Sequence, residues 1–180
     1  TRVSIAMVKK LFQANKISRM LFVSDRDELR RQTTEKFLEF LPEYPCYAYK
    51  GGSFKTEKKI TVATYHSLIN NYNSLTSGYY DLIIIDECHR SIYGKFRHIL
   101  DHFHCIKIGL TATPYVFDSE IDVSNEDTII VKDTLKFFDL NEPSFKYRLK
   151  EAIKDGYLVP YSIYKAKTVK TANEDGISVN

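Results

Sequence analysis

The chain has 180 residues, a formal net charge of +3 and 43% hydrophobic residues. That is enough for one domain with its own core, and it excludes a wholly disordered chain. Three widely spaced cysteines, Cys46, Cys88 and Cys105, make no disulfide framework, and no apolar run approaches membrane-spanning length. A reducing, cytoplasmic setting and no membrane partner are therefore expected.

Charge is unevenly spread. Residues 1–60 hold thirteen Lys/Arg and seven Asp/Glu, and the rest is slightly acidic. Charge alone favours a solvated face of two helices over a phosphate-facing surface.

In chain order, Ile5, Val8, Leu11 and Phe12 recur at helical spacing over Val3 to Phe12. Arg19 to Val23 reads as a strand. Asp25 with Glu28 makes an acidic capping-box variant that opens a helix from Arg26 to about Leu41. Leu29, Phe37, Leu38 and Leu41 would face the core, and Pro42 and Pro45 end the helix. Cys46 to Tyr49 is an edge strand, and Gly51 to Lys59 a basic loop. Ile60 to Ala63 is a strand, and Thr64 to Leu68 starts a short helix.

The run Leu82-Ile83-Ile84-Ile85 ends on Asp86 and Glu87. A short, β-branched run of this kind is a strand buried on both faces. Its two acids then sit where open α/β sheets place ligands. Adjacent carboxylates repel unless a cation lies beside them, and magnesium on nucleotide phosphates meets that need. Asp86 would hold the metal, through water, and Glu87 would orient or deprotonate the water that attacks the terminal phosphate. Asp-Glu alone is more often only an acidic turn.

Gly94 to Phe103 is an amphipathic helix with Phe96, Ile99, Leu100 and Phe103 inward, and Ile106 to Leu110 is the last strand of the series. The alternation predicts an α/β fold, a mostly parallel sheet with helices on both faces. Asp127 to Phe138 is expected to be a strand leading to a turn. Pro143 to Asp155 is expected to be a helix, with Phe145, Leu149, Ala152 and Ile153 on one face and Gly156 as its cap. Tyr157 to Lys165 should be extended and the tail polar.

Two other chemistries are weaker. Cys88, His89, His98, His102, His104 and Cys105 crowd one window, but no Cys-x-x-Cys pair exists and adjacent residues 88 and 89 point apart, which disfavours zinc. Glu57-Lys58-Lys59 contains Glu-x-Lys of metal-dependent nucleases, yet no paired Asp precedes it.

Asp86-Glu87-Cys88-His89 resembles the DExH box of superfamily 2 helicases and translocases. Gly109-Leu110-Thr111-Ala112-Thr113-Pro114 resembles their TATP motif. Two such motifs, in order and each at a strand end, are a specific pair. The string from Leu21 to Gln32 resembles motif Ia, and Val62 to Leu68 resembles motif Ib. The resemblance implies a RecA-like fold, ATP and Mg2+ as cofactors, and His89 paired with Thr111 and Thr113 to couple the nucleotide to the bound strand. It also implies nucleic-acid contacts from Arg26, Thr64 and Ser67; the simpler reading of Thr64 is an N-cap, and both can hold.

No Gly-rich loop ending Gly-Lys-Ser/Thr occurs. By the resemblance Thr1 stands where its last residue would fall, which gives Thr1 a nucleotide-binding role. Glu142 to Tyr161 resembles the connector after the first motor domain in R subunits of bacterial and archaeal type I restriction enzymes. That family implies an ATP-driven translocase on double-stranded DNA, working with methylation and specificity subunits. The expected division is a first, incomplete RecA-like domain over 1–115, its remainder with the connector toward a second RecA-like domain over 116–161, and the start of a next domain or a tail over 162–180. The 180 residues alone are expected to be inactive. A type III restriction subunit, another DExH helicase, or a non-catalytic RecA-like binding module are the alternatives.

Overall fold

The structure is a computed structural model, and it describes residues 2–91, 96–113 and 134–161. The chain divides into two compact units, Thr1–Glu142 and Pro143–Asn180.

The first unit begins with helix α1 (Arg2–Gln13), which buries Ser4, Ile5, Val8 and Phe12. Strand β1 (Met20–Ser24) leads to α2 (Asp27–Phe40), and β2 (Cys46–Ala48) follows. Next come β3 (Ile60–Thr64), the single turn α3 (Tyr65–Leu68) and β4 (Leu82–Asp86). The short helices α4 (Cys88–Ser91) and α5 (Arg97–His102) precede β5 (Ile106–Leu110), and α6 (Thr134–Phe137) follows.

The five described strands pair in parallel, in the order β2-β3-β1-β4-β5. Side chains alternate between the sheet's two faces. Met20, Phe22, Ile60, Val62, Leu82 and Ile84 pack with Ile5, Val8 and Phe12 of α1 and Phe37 of α2. Leu21, Val23, Ala63, Ile83 and Ile85 pack with Tyr65 and Leu68 of α3 and Ile99 and Leu100 of α5. Helices therefore cover both faces, as the strand–helix rhythm predicts. This double cover is why β1, β3 and most of β4 read as unbroken apolar runs.

Several local expectations are corrected. The cap of α2 is Arg26, in extended conformation and without a side-chain cap bond, not an Asp25–Glu28 box. Glu28 turns instead to Arg31 and Gln32 along its own helix. The hydrogen bond from Arg31 holds its carboxyl down to about 2. Leu38 is exposed rather than inward. The buried stripe of α2 runs through Arg30, Thr33, Thr34 and Phe37, and Leu38 lies off it. Arg30 tolerates burial because its guanidinium donates to the Tyr49 carbonyl at 3.1 Å and pairs with Asp27 at 3.2 Å. The 134–137 stretch is a turn of helix, not the end of a strand; residues 127–133 lie outside the described residues.

The second unit contains α7 (Leu149–Lys154), six residues rather than thirteen. Its start is set where the Glu151 carboxylate accepts the Arg148 backbone N–H at 2.6 Å. Phe145, upstream, is exposed, so no burial supports extra turns there, and short unpacked helices are marginal in water. Gly156 does cap the helix, at φ +76°, a left-handed position natural to glycine. Residues 157–161 form no strand, and 162–165 lie outside the described residues.

Candidate nucleotide and nucleic-acid site

The parallel register brings the carboxyl ends of neighbouring strands together. Asp86 ends β4 beside Leu110, the last residue of β5. Ser24 ends β1 beside Thr64, the last residue of β3. Each candidate residue then hangs from a turn that leaves one of these ends.

The turn after β4 is tight. Glu87 adopts φ +49°, a left-handed conformation that is uncommon for a residue with a side chain. Its backbone N–H donates to the Asp86 carboxylate at 3.2 Å. The strain sits on the residue that carries the second carboxylate, a feature that clusters at functional sites. Cys88 is buried beneath the turn, and burial pushes its thiol up to about 11.

His89 is the hub of the group. Its Nδ1 lies 2.8 Å from Thr111 Oγ1 and 3.4 Å from Glu87 Oε2, and its Nε2 lies 3.4 Å from Thr113 Oγ1. Thr111 Oγ1 also accepts the Thr113 backbone N–H at 3.0 Å. A threonine hydroxyl both donates and accepts, so either histidine tautomer is served. The contact at 2.8 Å is a full hydrogen bond, whereas those at 3.4 Å are weak.

A groove of about 490 Å³ opens beside this group, lined by Asp25, Arg26, Glu28, Leu29, Glu87, His89, Ala112 and Thr113. Four sequence-predicted residues, Arg26, Glu87, His89 and Thr113, thus meet on one surface. Arg26 is mostly exposed, with its guanidinium 3.7 Å from Asp25.

Thr64 and Ser67 do not line that groove. They close on each other in a reciprocal cap: Ser67 N–H donates to Thr64 Oγ1 at 3.3 Å, and Thr64 N–H donates to Ser67 Oγ at 3.1 Å. The Ser67 hydroxyl donates in turn to the Thr64 carbonyl at 2.8 Å. Thr64 is buried, so its capping role is the one on display. Thr1 and Pro114 lie outside the described residues.

No three His, Cys, Asp or Glu side chains gather as a metal-holding group among the described residues. His102 points elsewhere, its Nε2 2.9 Å from the Leu75 carbonyl. No helix among the described residues is long and apolar enough to cross a membrane.

Two features escaped sequence reasoning. Tyr65 is buried with an unpartnered hydroxyl, and nothing in its string signals that. Gly109 lies against the Phe138 ring: a Cβ there would come within 2.6 Å of Phe138 Cε2 and 2.8 Å of Cys88 Sγ. A lone glycine inside an apolar strand is the available signal for such close approach.

The endonuclease subunit of the Escherichia coli type I restriction enzyme EcoAI is 30% identical over 176 residues, covering 92% of this chain and 20% of that protein. The corresponding EcoKI subunit of Escherichia coli K12 is 28% identical over 189 residues, covering 88% and 15%. The chain thus spans a fifth or less of the curated relatives it matches. Among solved structures, the Hef helicase domain of Pyrococcus furiosus aligns with a TM-score of 0.54 and 21% identity, over 78% of this chain and 32% of that one. At that identity the likeness concerns the fold, which is RecA-like. Residues 1–116 match the family described as "Type III restriction enzyme, res subunit", and the chain belongs to that family.

Proposed function

We propose that this chain is part of the ATP-driven motor of a type I restriction enzyme R subunit, coupling ATP hydrolysis to movement on double-stranded DNA. The reading is supported by one arrangement above all. The Glu87 carboxylate after β4 and the Thr111 and Thr113 hydroxyls after β5 meet on the two ring nitrogens of His89. The breadth of the match to the type I endonuclease subunits favours type I over type III.

In this reading Asp86 would hold Mg2+, through water. The donor set fits: the Asp86 carboxylate at the end of β4, beside the part-exposed Glu87 carboxylate, suits a cation that keeps most of its shell as water and phosphate oxygens. When bound, the ion neutralises charge on the nucleotide phosphates. Glu87 orients the attacking water and accepts its proton. The left-handed turn carries that carboxylate out of the strand, where its side chain is 42% exposed. His89, Thr111 and Thr113 transmit the state of that site. Arg26 meets DNA phosphates, as does the turn that Thr64 and Ser67 cap, and Thr1 belongs to the nucleotide side. Methylation and specificity subunits are the partners, the setting is the bacterial or archaeal cytoplasm, and turnover belongs to the longer parent rather than to these 180 residues alone.

The test is a pair of variants in the full-length parent. Glu87→Gln should abolish DNA-stimulated hydrolysis while nucleotide binding survives, because the amide keeps the shape but takes no proton. Asp86→Asn should weaken magnesium-nucleotide binding as well. Equal loss of affinity in both would show the division of roles to be wrong, and unimpaired hydrolysis in Glu87→Gln would refute the motor reading.

A further inference from the structure

Among the described residues three that are not glycine adopt a positive φ: Asn15, Glu87 and Asp139. Asn15 turns the chain out of α1. The other two bracket a single contact. Glu87 precedes the buried Cys88, and Asp139 follows Phe138. A Cβ on Gly109 would meet Phe138 Cε2 at 2.6 Å and Cys88 Sγ at 2.8 Å, so ring and sulfur press on the same spot of β5. Both belong to one apolar cluster.

Phe138 is held there firmly. The Asp139 N–H donates to the Lys136 carbonyl at 3.1 Å, and the Leu140 N–H donates to the Leu135 carbonyl at 3.0 Å. These are the paired bonds that stop a helix, closed here over an aspartate at φ +54° where glycine is usual. The adjoining Phe137 ring lies under the Arg97 guanidinium of α5, 5.6 Å from its centroid. The Glu87 turn has weaker bonds of its own. Its N–H reaches Asp86 at 3.2 Å, and its carboxylate lies 3.4 Å from His89, at or beyond the usual range. A strained turn of this kind persists only when its surroundings over-determine it.

We infer that Phe138 is a positioning residue for the hydrolytic turn. Its ring fixes how closely Cys88, after β4, approaches Gly109, in β5. Cys88 directly precedes His89, and Gly109 stands two residues before Thr111. The 2.8 Å bond between His89 and Thr111 therefore spans the separation that the ring sets. With the ring cut back, Cys88 settles toward β5 and Glu87 relaxes from its left-handed turn. This rests on the motor reading above and adds to it a residue outside both strand-end motifs. Phe138 acts through Cys88 and Gly109, not on nucleotide or DNA.

The experiment uses the intact parent protein, duplex DNA and the variants Phe138→Leu, Thr111→Val and both together. Maximal DNA-stimulated turnover should fall about tenfold in Phe138→Leu, with KM for ATP unchanged, because the loss lies in the placement of a catalytic group. Phe138→Met, whose flexible chain refills the gap, should lose less. The double variant should also fall about tenfold, not the roughly fiftyfold or more of independent effects, since both changes act on one bond. A ring that only stabilises the fold would lower the melting temperature without this kcat–KM split. Parental turnover in Phe138→Leu overturns this inference alone, and so do losses that multiply in the double variant. A parent with no DNA-stimulated turnover overturns the motor reading, and this inference with it.

Discussion

Thr111 Oγ1 lies 2.8 Å from His89 Nδ1, so the segment leaving β5 is bonded to the one-turn helix leaving β4. Thr111→Val deletes that bond at nearly constant shape. Among the described residues, His89 Nδ1 then keeps only the Glu87 carboxylate, at 3.4 Å. In the intact parent, DNA-stimulated ATP turnover should fall about five- to tenfold with nucleotide affinity retained. Turnover assays with and without DNA check this, and a loss of the same size in both would contradict a coupling role.

Gly109 is a packing requirement. Adding a methyl group there drives it against the Phe138 ring and the Cys88 sulfur. Gly109→Ala should cost about 1–3 kcal/mol in urea unfolding, the range for overpacked cores. Phe138→Leu on that background should recover part of the loss, since the two changes share one space. Additive losses in the double variant would argue that the ring is not what the methyl meets.

Arg26 is exposed, and its nearest acid, Asp25, is 3.7 Å away. Exposed pairs of this kind contribute little. A cation at a helix N-terminus also opposes the helix dipole. Arg26→Ala should therefore leave thermal stability level or slightly improved. If Arg26 meets a phosphate, the same change should flatten the salt dependence of DNA binding by about one contact, on any sequence. Unchanged affinity across a salt titration would remove Arg26 from the interface.

Burial pushes the Cys46 thiol up to about 12, and those of Cys88 and Cys105 up to about 11. An unfolded thiol titrates near 8.5. Above that pH the unfolded chain has released protons that the folded chain still holds. Stability from these groups is thus complete below about pH 8 and lost as pH rises toward 11 and 12. Urea midpoints measured from pH 7 to about 10.5 should fall steadily over the upper part of the range. A flat profile would mean that the thiols are wetter than their burial indicates.

Much of this architecture was legible from residues alone, because β1, β3 and β4 are buried on both faces and must be continuous apolar runs. Asp86 and Thr111 follow such runs, so their placement at neighbouring strand ends was legible too. The cap of α2 was not. Arg26 takes the cap position with no side-chain bond, and Glu28 finds stronger partners on its own helix. Nor was Leu38, whose exposure depends on which side of α2 meets β1 and β3. The extent of α7 escaped for the opposite reason: periodicity shows which residues share a face, not whether anything covers it. The left-handed Glu87 and the unpartnered Tyr65 hydroxyl are both locally unfavourable, and propensity describes only what is locally favourable.

The strand order also governs when the site can exist during synthesis. Every described strand pair is parallel, so none forms from a simple hairpin, and β4 takes its neighbours from residues 20–24 and 106–110. A nascent chain that has emerged only as far as His89 has its acidic turn but lacks β5 and both threonines. His89 gains its hydroxyl partners only after Thr113 has left the ribosome. A stall or cleavage before that point would leave β4 with one open edge, a surface that pairs with other chains. Truncated forms ending between Asp86 and Ile106 should therefore be prone to aggregation and to chaperone capture, and their appearance in soluble form would mark β4 as self-sufficient.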